Sequence, residues 1–118
     1  MKPESLLQIQ IVEYLSSIAE ENDFIFFSIP NEGAMAAGKG KVDYALTTTL
    51  KKMGMLPGVP DLCIIKNGKA LFMEVKTETG SLSKVQKIAI ERIKDCKALV
   101  VVVRSFEDCV MAMIEYIL

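Results

Sequence analysis

Two carboxylates and a lysine lie close together along this 118-residue chain. Asp61 follows Pro60, and Glu74 precedes Lys76 by two positions. Carboxylate oxygens are the ligands that Mg²⁺ and Mn²⁺ prefer. An ammonium group can position an attacking water or stabilise charge that builds on a phosphate. These residue types therefore suit metal-assisted hydrolysis of a phosphate ester, provided that the fold brings them together.

A predicted β-hairpin would bring the two carboxylates together. Asn67-Gly68 lies between two apolar segments and is the dipeptide typical of a type I′ turn, which needs positive φ at both positions. Continuing the pairing outward from this turn places Asp61 directly opposite Glu74. Opposed residues of antiparallel strands share one face, with Cβ atoms about 4.5–5.5 Å apart. Two carboxylates so placed in apolar surroundings repel each other.

A divalent cation would relieve this repulsion, and a shared proton is the other solution. Strand alternation places Lys76 on the same face as Glu74, so a metal, a water and a lysine could share one pocket. The alternative is that Asp61 ends a turn and that Glu74 and Lys76 form an exposed edge pattern. A shift of one residue in the pairing would place Glu74 on the other face.

Composition narrows the chemistry further. The chain has no histidine, which excludes Ser-His-Asp and Cys-His catalysis and histidine-ligated zinc. Cys63, Cys96 and Cys109 form no CxxC pair and lie in apolar runs, so we expect reduced core residues. The net charge of −1 excludes coating of nucleic acid by bulk positive charge. Any contact with nucleic acid must use local patches.

Periodicity and turn residues predict the elements that would position this site. The predicted order is a helix over 4–21, a strand over 24–29, a loop over 33–41, a helix over 42–53, a turn over 54–60, strands over 62–65 and 70–75, a loop over 77–82, a helix over 83–95, a strand over 98–103 and a last helix after Ser105. The strand over 98–103 is expected to be covered on both faces. The inner side of the helix over 83–95 is expected to carry Val85, Ile88, Ala89, Ile93 and Cys96, and that of the last helix Phe106, Val110, Met113, Ile114 and Ile117. This αβαββαβα order predicts one α/β domain over residues 1–118, with a central mixed β-sheet flanked by α-helices.

The sequence also bears on cellular location. It holds no window of about 18 uninterrupted apolar residues, so we expect no membrane span. The N-terminal residues lack the apolar stretch and cleavage site of a signal peptide. We expect a cytoplasmic protein in a bacterial or phage-like intracellular setting.

The motifs carry a family resemblance. Pro60-Asp61, a hairpin and Glu74-Val75-Lys76 resemble the PD-(D/E)XK nuclease superfamily. A wider set of motifs looks like the VRR-NUC family in its short stand-alone form, from residue 4 to about 103: Pro30-Asn31-Glu32, Gly58-Val59-Pro60-Asp61, Glu74-Val75-Lys76 and Gln86. The resemblance implies a restriction-endonuclease-like fold and a Mg²⁺- or Mn²⁺-dependent DNA endonuclease. The resemblance to stand-alone members also implies a homodimer that cuts branched DNA, such as Holliday junctions.

The resemblance also implies individual roles. Asp61, Glu74 and the backbone carbonyl of Val75 would hold the metal, and Glu4 could approach it. Lys76 would serve the nucleophilic water, and Gln86 would orient that water or Lys76. Three further residues match positions that shape or close the site, namely Gln8, Asn31 and Glu32.

Each of these supporting residues also has a purely structural interpretation. Gln86 forms an S-x-x-Q capping box with Ser83, so it could serve the helix alone. Glu4 suits the positive end of the first helix, and Gln8 could be its solvated neighbour. Asn31 could shape a turn. Glu32 could be a surface acid.

Lysines supply the candidate contacts with DNA phosphates. Lys39 and Lys41 lie in the predicted loop, and each phosphate contact would add to the salt dependence of binding. Lys51, Lys52, Lys84 and Lys87 could contact phosphates in the same way. A solvated basic face is the alternative for all six lysines. Two rival functions remain: a catalytically silent DNA-binding module of the same fold, and a regulatory α/β protein whose hairpin carboxylates bind nothing.

Overall fold

The structure is a computed structural model that describes residues 1–30, 36–37, 41–42 and 44–118, with the backbone alone for 36–37, 41–42 and Tyr44. Its elements follow the order of the chain. They are α1 (Pro3–Ile18), β1 (Ile25–Ser28), β2 (Ala36–Ala37), β3 (Lys41–Val42), α2 (Tyr44–Lys52), β4 (Leu62–Lys66), β5 (Lys69–Val75), α3 (Lys84–Asp95), β6 (Leu99–Val103) and α4 (Phe106–Tyr116).

The main sheet has four strands in the order β1-β4-β5-β6 within the described residues. β1, β4 and β5 are antiparallel neighbours, whereas β6 pairs with β5 in parallel. The predicted α/β architecture, a mixed sheet flanked by helices, is therefore confirmed. The predicted loop over 33–41 differs, because β2 and β3 form a separate two-stranded ladder of two residues each.

The predicted hairpin between β4 and β5 is also confirmed. Asn67 and Gly68 have φ of 52° and 77°, as a type I′ turn requires. The register pairs Lys66 with Lys69 at the turn and Leu62 with Met73 at the far end. The next pair outward is the one that the sequence predicts for the two carboxylates.

One face of the sheet packs against α1 and α4. Ile11 and Leu15 of α1 are fully buried, as their helical spacing predicts. Tyr14 of α1 meets Phe106 of α4 edge to face, with ring centroids 5.4 Å apart. This core also contains Leu62, Ile64, Leu71, Met73, Val75, Val103, Cys109 and Met113.

The last strand is less covered than its apolar sequence suggests. β6 lies at an edge of the described sheet, Leu99 is 39% exposed, and residues 100–102 are only half-buried. The prediction of a strand covered on both faces is therefore wrong. An uninterrupted run of five apolar residues fits a central strand, but it also fits an edge strand that neighbouring helices cover in part.

Two helix faces also differ from the prediction. Val85, Ile88 and Cys96 of the α3 region are exposed, so Cys96 is not a core cysteine. The face of α3 that points inward instead consists of Gln86, Ala89, Ile90 and Ile93, because the helix is turned to direct a glutamine at the sheet. On α4, Ile114 is predicted to face inward but is 57% exposed, whereas Ala112 is buried.

Among the helices that the structure describes, none is both long and apolar enough to cross a membrane.

Candidate metal centre

Three acidic side chains converge near one end of the hairpin. Asp61 directly precedes β4, Glu74 is the penultimate residue of β5, and Glu4 lies in the first turn of α1. Each offers one carboxylate oxygen, and these three oxygens all lie within 4.8 Å of one another. The structure therefore brings together the two hairpin carboxylates and adds the helix acid to them.

Glu74 is the most buried member of the group, with 1% of its surface exposed. Burial, followed by the charge of Asp61, raises its pKa to about 8 from an ordinary value of 4.5, although Lys76 acts in the opposite direction. Its Oε1 atom is buried and has no hydrogen-bond partner among the residues that the structure describes. A buried carboxylate oxygen without a donor is costly unless something else satisfies it.

Asp61 is fixed by the backbone on both sides. Its Oδ2 atom accepts a hydrogen bond from the N–H of Val75 at 2.8 Å. Its own carbonyl accepts the N–H of Ile29, also at 2.8 Å, which extends the β1–β4 ladder past Ser28. Asp61 is thereby held beside the end of β5, where its carboxylate faces that of Glu74.

Lys76 extends the ladder one residue beyond β5. Its N–H donates to the carbonyl of Val103 at 3.0 Å, which fixes the backbone from which its side chain starts. The Nζ atom lies 3.9 Å from Glu74 Oε2, and the residue is only 9% exposed. Glu74 and Lys76 therefore lie on the same face of the strand, as strand alternation predicts, and the ammonium lies at the edge of the acidic group.

Gln86 serves both the helix and the acidic group. Its Oε1 accepts the N–H of Ser83 at 2.9 Å, and its own N–H donates to Ser83 Oγ at 3.2 Å, which completes the capping box. Its Nε2 atom donates to Glu74 Oε2 at 3.3 Å. The capping interpretation of Gln86 is therefore confirmed, and the other end of the same amide contacts the acidic group. Its role in orienting a water or Lys76 stays a prediction.

Two residues without an assigned role support this arrangement. Gly58 has a φ of +77°, and a Cβ built there would lie 2.6 Å from the carbonyl oxygen of Val85. The turn before Asp61 thus packs directly on the first turn of α3. Arg104 donates to the carbonyls of Thr77 and Gly80. A Gly in a Pro-rich turn signals positive φ, but no local sequence pattern predicts the contacts of Arg104.

Gln8 on α1 is half-buried, and the side chains of several other predicted residues are not described. Gln8 lines an open groove of about 520 Å³ along α1, with Ser5, Ile9 and Ser28 among its neighbours. The side chains of Asn31, Glu32, Lys39 and Lys41 lie outside the described part of the chain. Four further lysines are on exposed positions of α2 and α3, namely Lys51, Lys52, Lys84 and Lys87.

The acidic group fits a hard divalent cation. It offers carboxylate oxygens from Glu4, Asp61 and Glu74, the donor type that Mg²⁺ and Mn²⁺ take. The Oε1 atom of Glu74 has no donor within the described part of the chain, and the raised pKa of its carboxyl, to which burial, the charge of Asp61 and a hydrogen bond with Asp61 contribute, shows that the ion-free group keeps its proton at neutral pH. A bound cation would satisfy that oxygen and favour the ionised carboxylate.

Fold and site together define an α/β domain with a mixed sheet, a three-acid group at its strand ends and a lysine beside it. The chain matches the family model of the VRR-NUC domain over residues 8–107. It belongs to the VRR-NUC family. Membership in this family indicates a nuclease-type function in DNA processing.

Solved structures support the same fold. One titled "VRR_NUC domain protein" is 18% identical in sequence, with a TM-score of 0.64, and the match covers 99% of this chain and 89% of that one. Another, titled "VRR_NUC domain", is 23% identical with a TM-score of 0.57, covering 91% and 92% of the two chains. No curated protein matches this chain.

Proposed function

We propose that residues 1–118 act as one nuclease domain that hydrolyses DNA phosphodiesters with Mg²⁺ or Mn²⁺. One observation carries the proposal. Within the described residues, the buried Glu74 has an oxygen without a hydrogen-bond donor, shares its surroundings with the carboxylates of Asp61 and Glu4, and has the ammonium of Lys76 at 3.9 Å. This combination is costly for a protein that binds nothing there.

In this proposal Asp61 and Glu74 hold the cation, with Glu4 and the backbone carbonyl of Val75 as further oxygen ligands. When bound, a divalent cation would neutralise the carboxylates and stabilise charge on the phosphate oxygens. Asp61 keeps its place because the N–H of Val75 occupies its Oδ2 atom, which leaves the other oxygen for the site. No covalent enzyme intermediate is required.

Lys76 and Gln86 prepare the attack on the phosphate. Both reach the same oxygen, Glu74 Oε2, from opposite ends of the segment that links β5 to α3. The ammonium of Lys76 can position the attacking water and stabilise the negative charge that develops in the transition state. The amide of Gln86 orients the carboxylate and limits the directions in which that water can lie.

We further propose branched DNA, such as a Holliday junction, as the substrate, cut by a homodimer. A twofold protein suits a twofold substrate, since two sites can then reach two strands. The described surface offers exposed apolar side chains for a self-contact on α4, where Met111 is 63% exposed beside Ile114. Met53 and Leu56 after α2 are a second exposed apolar group. Sedimentation that found a monomer at working concentration would contradict the dimer without contradicting the nuclease.

The test is a cleavage panel. Linear duplex, single strand, flap and four-way junction are each incubated with Mg²⁺, Mn²⁺ or EDTA. We expect metal-dependent cleavage that is fastest on the junction and is abolished in Asp61→Ala, Glu74→Ala and Lys76→Ala. The matched control is Glu91→Ala, which removes an exposed acid on α3.

The outcomes separate the candidate functions. DNA binding without cleavage in any metal would identify a catalytically silent DNA-binding module. Neither binding nor cleavage would favour the regulatory α/β protein. Cleavage at the wild-type rate by any one of the three folded site variants would remove that residue from the proposed machinery.

A further inference from the structure

The guanidinium of Arg104 holds a turn next to the metal centre. Its Nη1 atom donates to the carbonyl of Thr77 at 2.9 Å and to the carbonyl of Gly80. The N–H of Gly80 also donates to the carbonyl of Thr77 at 3.2 Å, which closes the turn over residues 77–80. The guanidinium of Arg104 therefore donates to the carbonyls at both ends of this turn.

This turn begins the connection between the two side chains that reach Glu74. Lys76 directly precedes it, and Gln86 lies in the first turn of α3 just after it. Nζ of Lys76 and Nε2 of Gln86 lie 3.9 Å and 3.3 Å from the same atom, Glu74 Oε2. A change in the path of the connection would therefore move one of these groups relative to the other.

The backbone of Arg104 is itself fixed. Its N–H donates to Asp108 Oδ2 at 2.9 Å, and the N–H of Asp108 donates to Ser105 Oγ at 3.1 Å at the start of α4. The preceding residue, Val103, accepts the N–H of Lys76. Residues 103 and 104 thus hold the two residues that directly follow β5, Lys76 by a backbone bond and Thr77 by a side chain.

We infer that Arg104 is a positioning residue for the metal centre: it fixes the turn over 77–80 and, through it, sets Lys76 and Gln86 against Glu74. The inference rests on the proposed function for its kinetic consequences. Arginine suits the task because its charge is permanent and its planar group presents several donors, whereas lysine offers a compact point charge.

The main rival role for Arg104 is direct contact with a DNA phosphate. The structure argues for positioning because Nη1 already donates to two backbone carbonyls. The two roles differ in kinetics. Loss of a phosphate contact would weaken DNA binding and reduce its salt dependence. Loss of positioning would lower kcat with little change in KM, because the substrate would still bind but the reacting groups would be misplaced.

The experiment compares Arg104→Ala and Arg104→Lys with Arg92→Ala, which removes an exposed arginine of α3. Rates are measured per folded molecule, with the folded fraction taken from circular dichroism. We expect Arg104→Ala to lower kcat by about 10- to 100-fold with KM within about twofold of wild type. Arg104→Lys should recover part of kcat, and Arg92→Ala should match wild type. Low millimolar guanidinium ion should partly restore Arg104→Ala alone.

Two kinetic results would overturn the inference. One is a wild-type kcat per folded molecule in Arg104→Ala, which would make Arg104 a stabilising residue only. The other is a raised KM with unchanged kcat, which would assign it to DNA binding. If Arg104→Ala does not fold, Arg104→Lys carries the same comparison, with the expected loss in kcat smaller.

Hydrogen exchange decides the inference independently of activity. In Arg104→Ala, or in Arg104→Lys if only that variant folds, we expect faster amide exchange confined to residues 76–86, with unchanged exchange over the rest of α3. Unchanged exchange over 76–86 would overturn the positioning role. If wild type cleaves no DNA of the panel in either metal, the proposed function fails, and this exchange measurement still tests what Arg104 holds.

Discussion

Gln86 donates a hydrogen bond to Glu74 across 3.3 Å, and the other end of the same amide caps α3. This relationship connects the stability of a helix to the geometry of the acidic group. Because the capping box fixes where α3 begins, it also fixes where Nε2 of Gln86 points. The phase of the helix follows, with Ala89 and Ile90 inward and Val85 exposed.

The two functions of Gln86 can be separated by mutation. Ser83→Ala removes the Oγ acceptor of the cap but leaves the contact with Glu74. Gln86→Ala removes the other capping bond, from the N–H of Ser83 to Oε1, together with the contact with Glu74. We expect each variant to lower the free energy of unfolding by about 1 kcal/mol. Only Gln86→Ala should lower kcat substantially, by about tenfold or more. Urea denaturation and steady-state cleavage measure the two effects, and an equal loss of kcat in Ser83→Ala would reduce Gln86 to a cap.

Metal binding should stabilise the protein through the acidic group. Mg²⁺ or Mn²⁺ should raise the melting temperature of wild type by mass action. At a free metal concentration of one hundred times Kd, the added free energy of unfolding is about 2.7 kcal/mol. The double variant Asp61→Asn, Glu74→Gln should show no such rise, because both proposed ligands have lost their charge. Glu91→Gln is the control and should respond as wild type does. A metal-dependent rise that survives in the double variant would place the cation elsewhere.

The stability of the metal-free protein should depend on pH through Glu74. Its pKa is about 8 in the fold and 4.5 ordinarily, so the folded state binds the proton more tightly than the unfolded chain. The resulting stabilisation is fully present below about pH 4.5 and is lost as pH rises through about 8. We expect the free energy of unfolding in EDTA to fall between pH 5 and pH 9.

Glu74→Gln isolates this effect, because the amide cannot ionise. The difference in unfolding free energy between this variant and wild type should grow from pH 5 to pH 9. Metal affinity should change in the opposite direction and rise up to about pH 8, since the cation requires the ionised carboxylate. A difference between the two proteins that stays constant with pH would show that Glu74 keeps an ordinary pKa.

The close approach of Gly58 to α3 gives a further prediction. Gly54→Ala is the matched control, because Gly54 also has positive φ but its added Cβ would meet no atom of the described residues within 4 Å. We expect Gly54→Ala to cost about 1–2 kcal/mol from backbone strain. Gly58→Ala should cost about 1–3 kcal/mol more, because its Cβ would overlap the backbone of α3. Gly58→Ala should also slow cleavage, since α3 carries Gln86. Equal costs in the two variants would show that α3 adjusts freely.

Much of the site could be predicted because its main parts are close in sequence. The Asn67-Gly68 turn fixes the register of the hairpin, and the alternation of side chains then fixes which residues face each other. The shared face of Asp61, Glu74 and Lys76 follows from this register, whereas their roles in catalysis stay predictions. The buried face of α1 could be predicted in the same way, because Ile11 and Leu15 recur at helical spacing.

The sequence alone thus determined the α/β order, the hairpin and the pairing of its two carboxylates. Tertiary structure decided that Glu4 joins them, that α3 turns its glutamine rather than a valine inward, that β6 lies at an edge of the described sheet, and that Arg104 reaches back to Thr77. The physical reason is range. Turn geometry and side-chain periodicity act over a few residues, whereas these contacts join segments that lie far apart along the chain and meet only when the core packs.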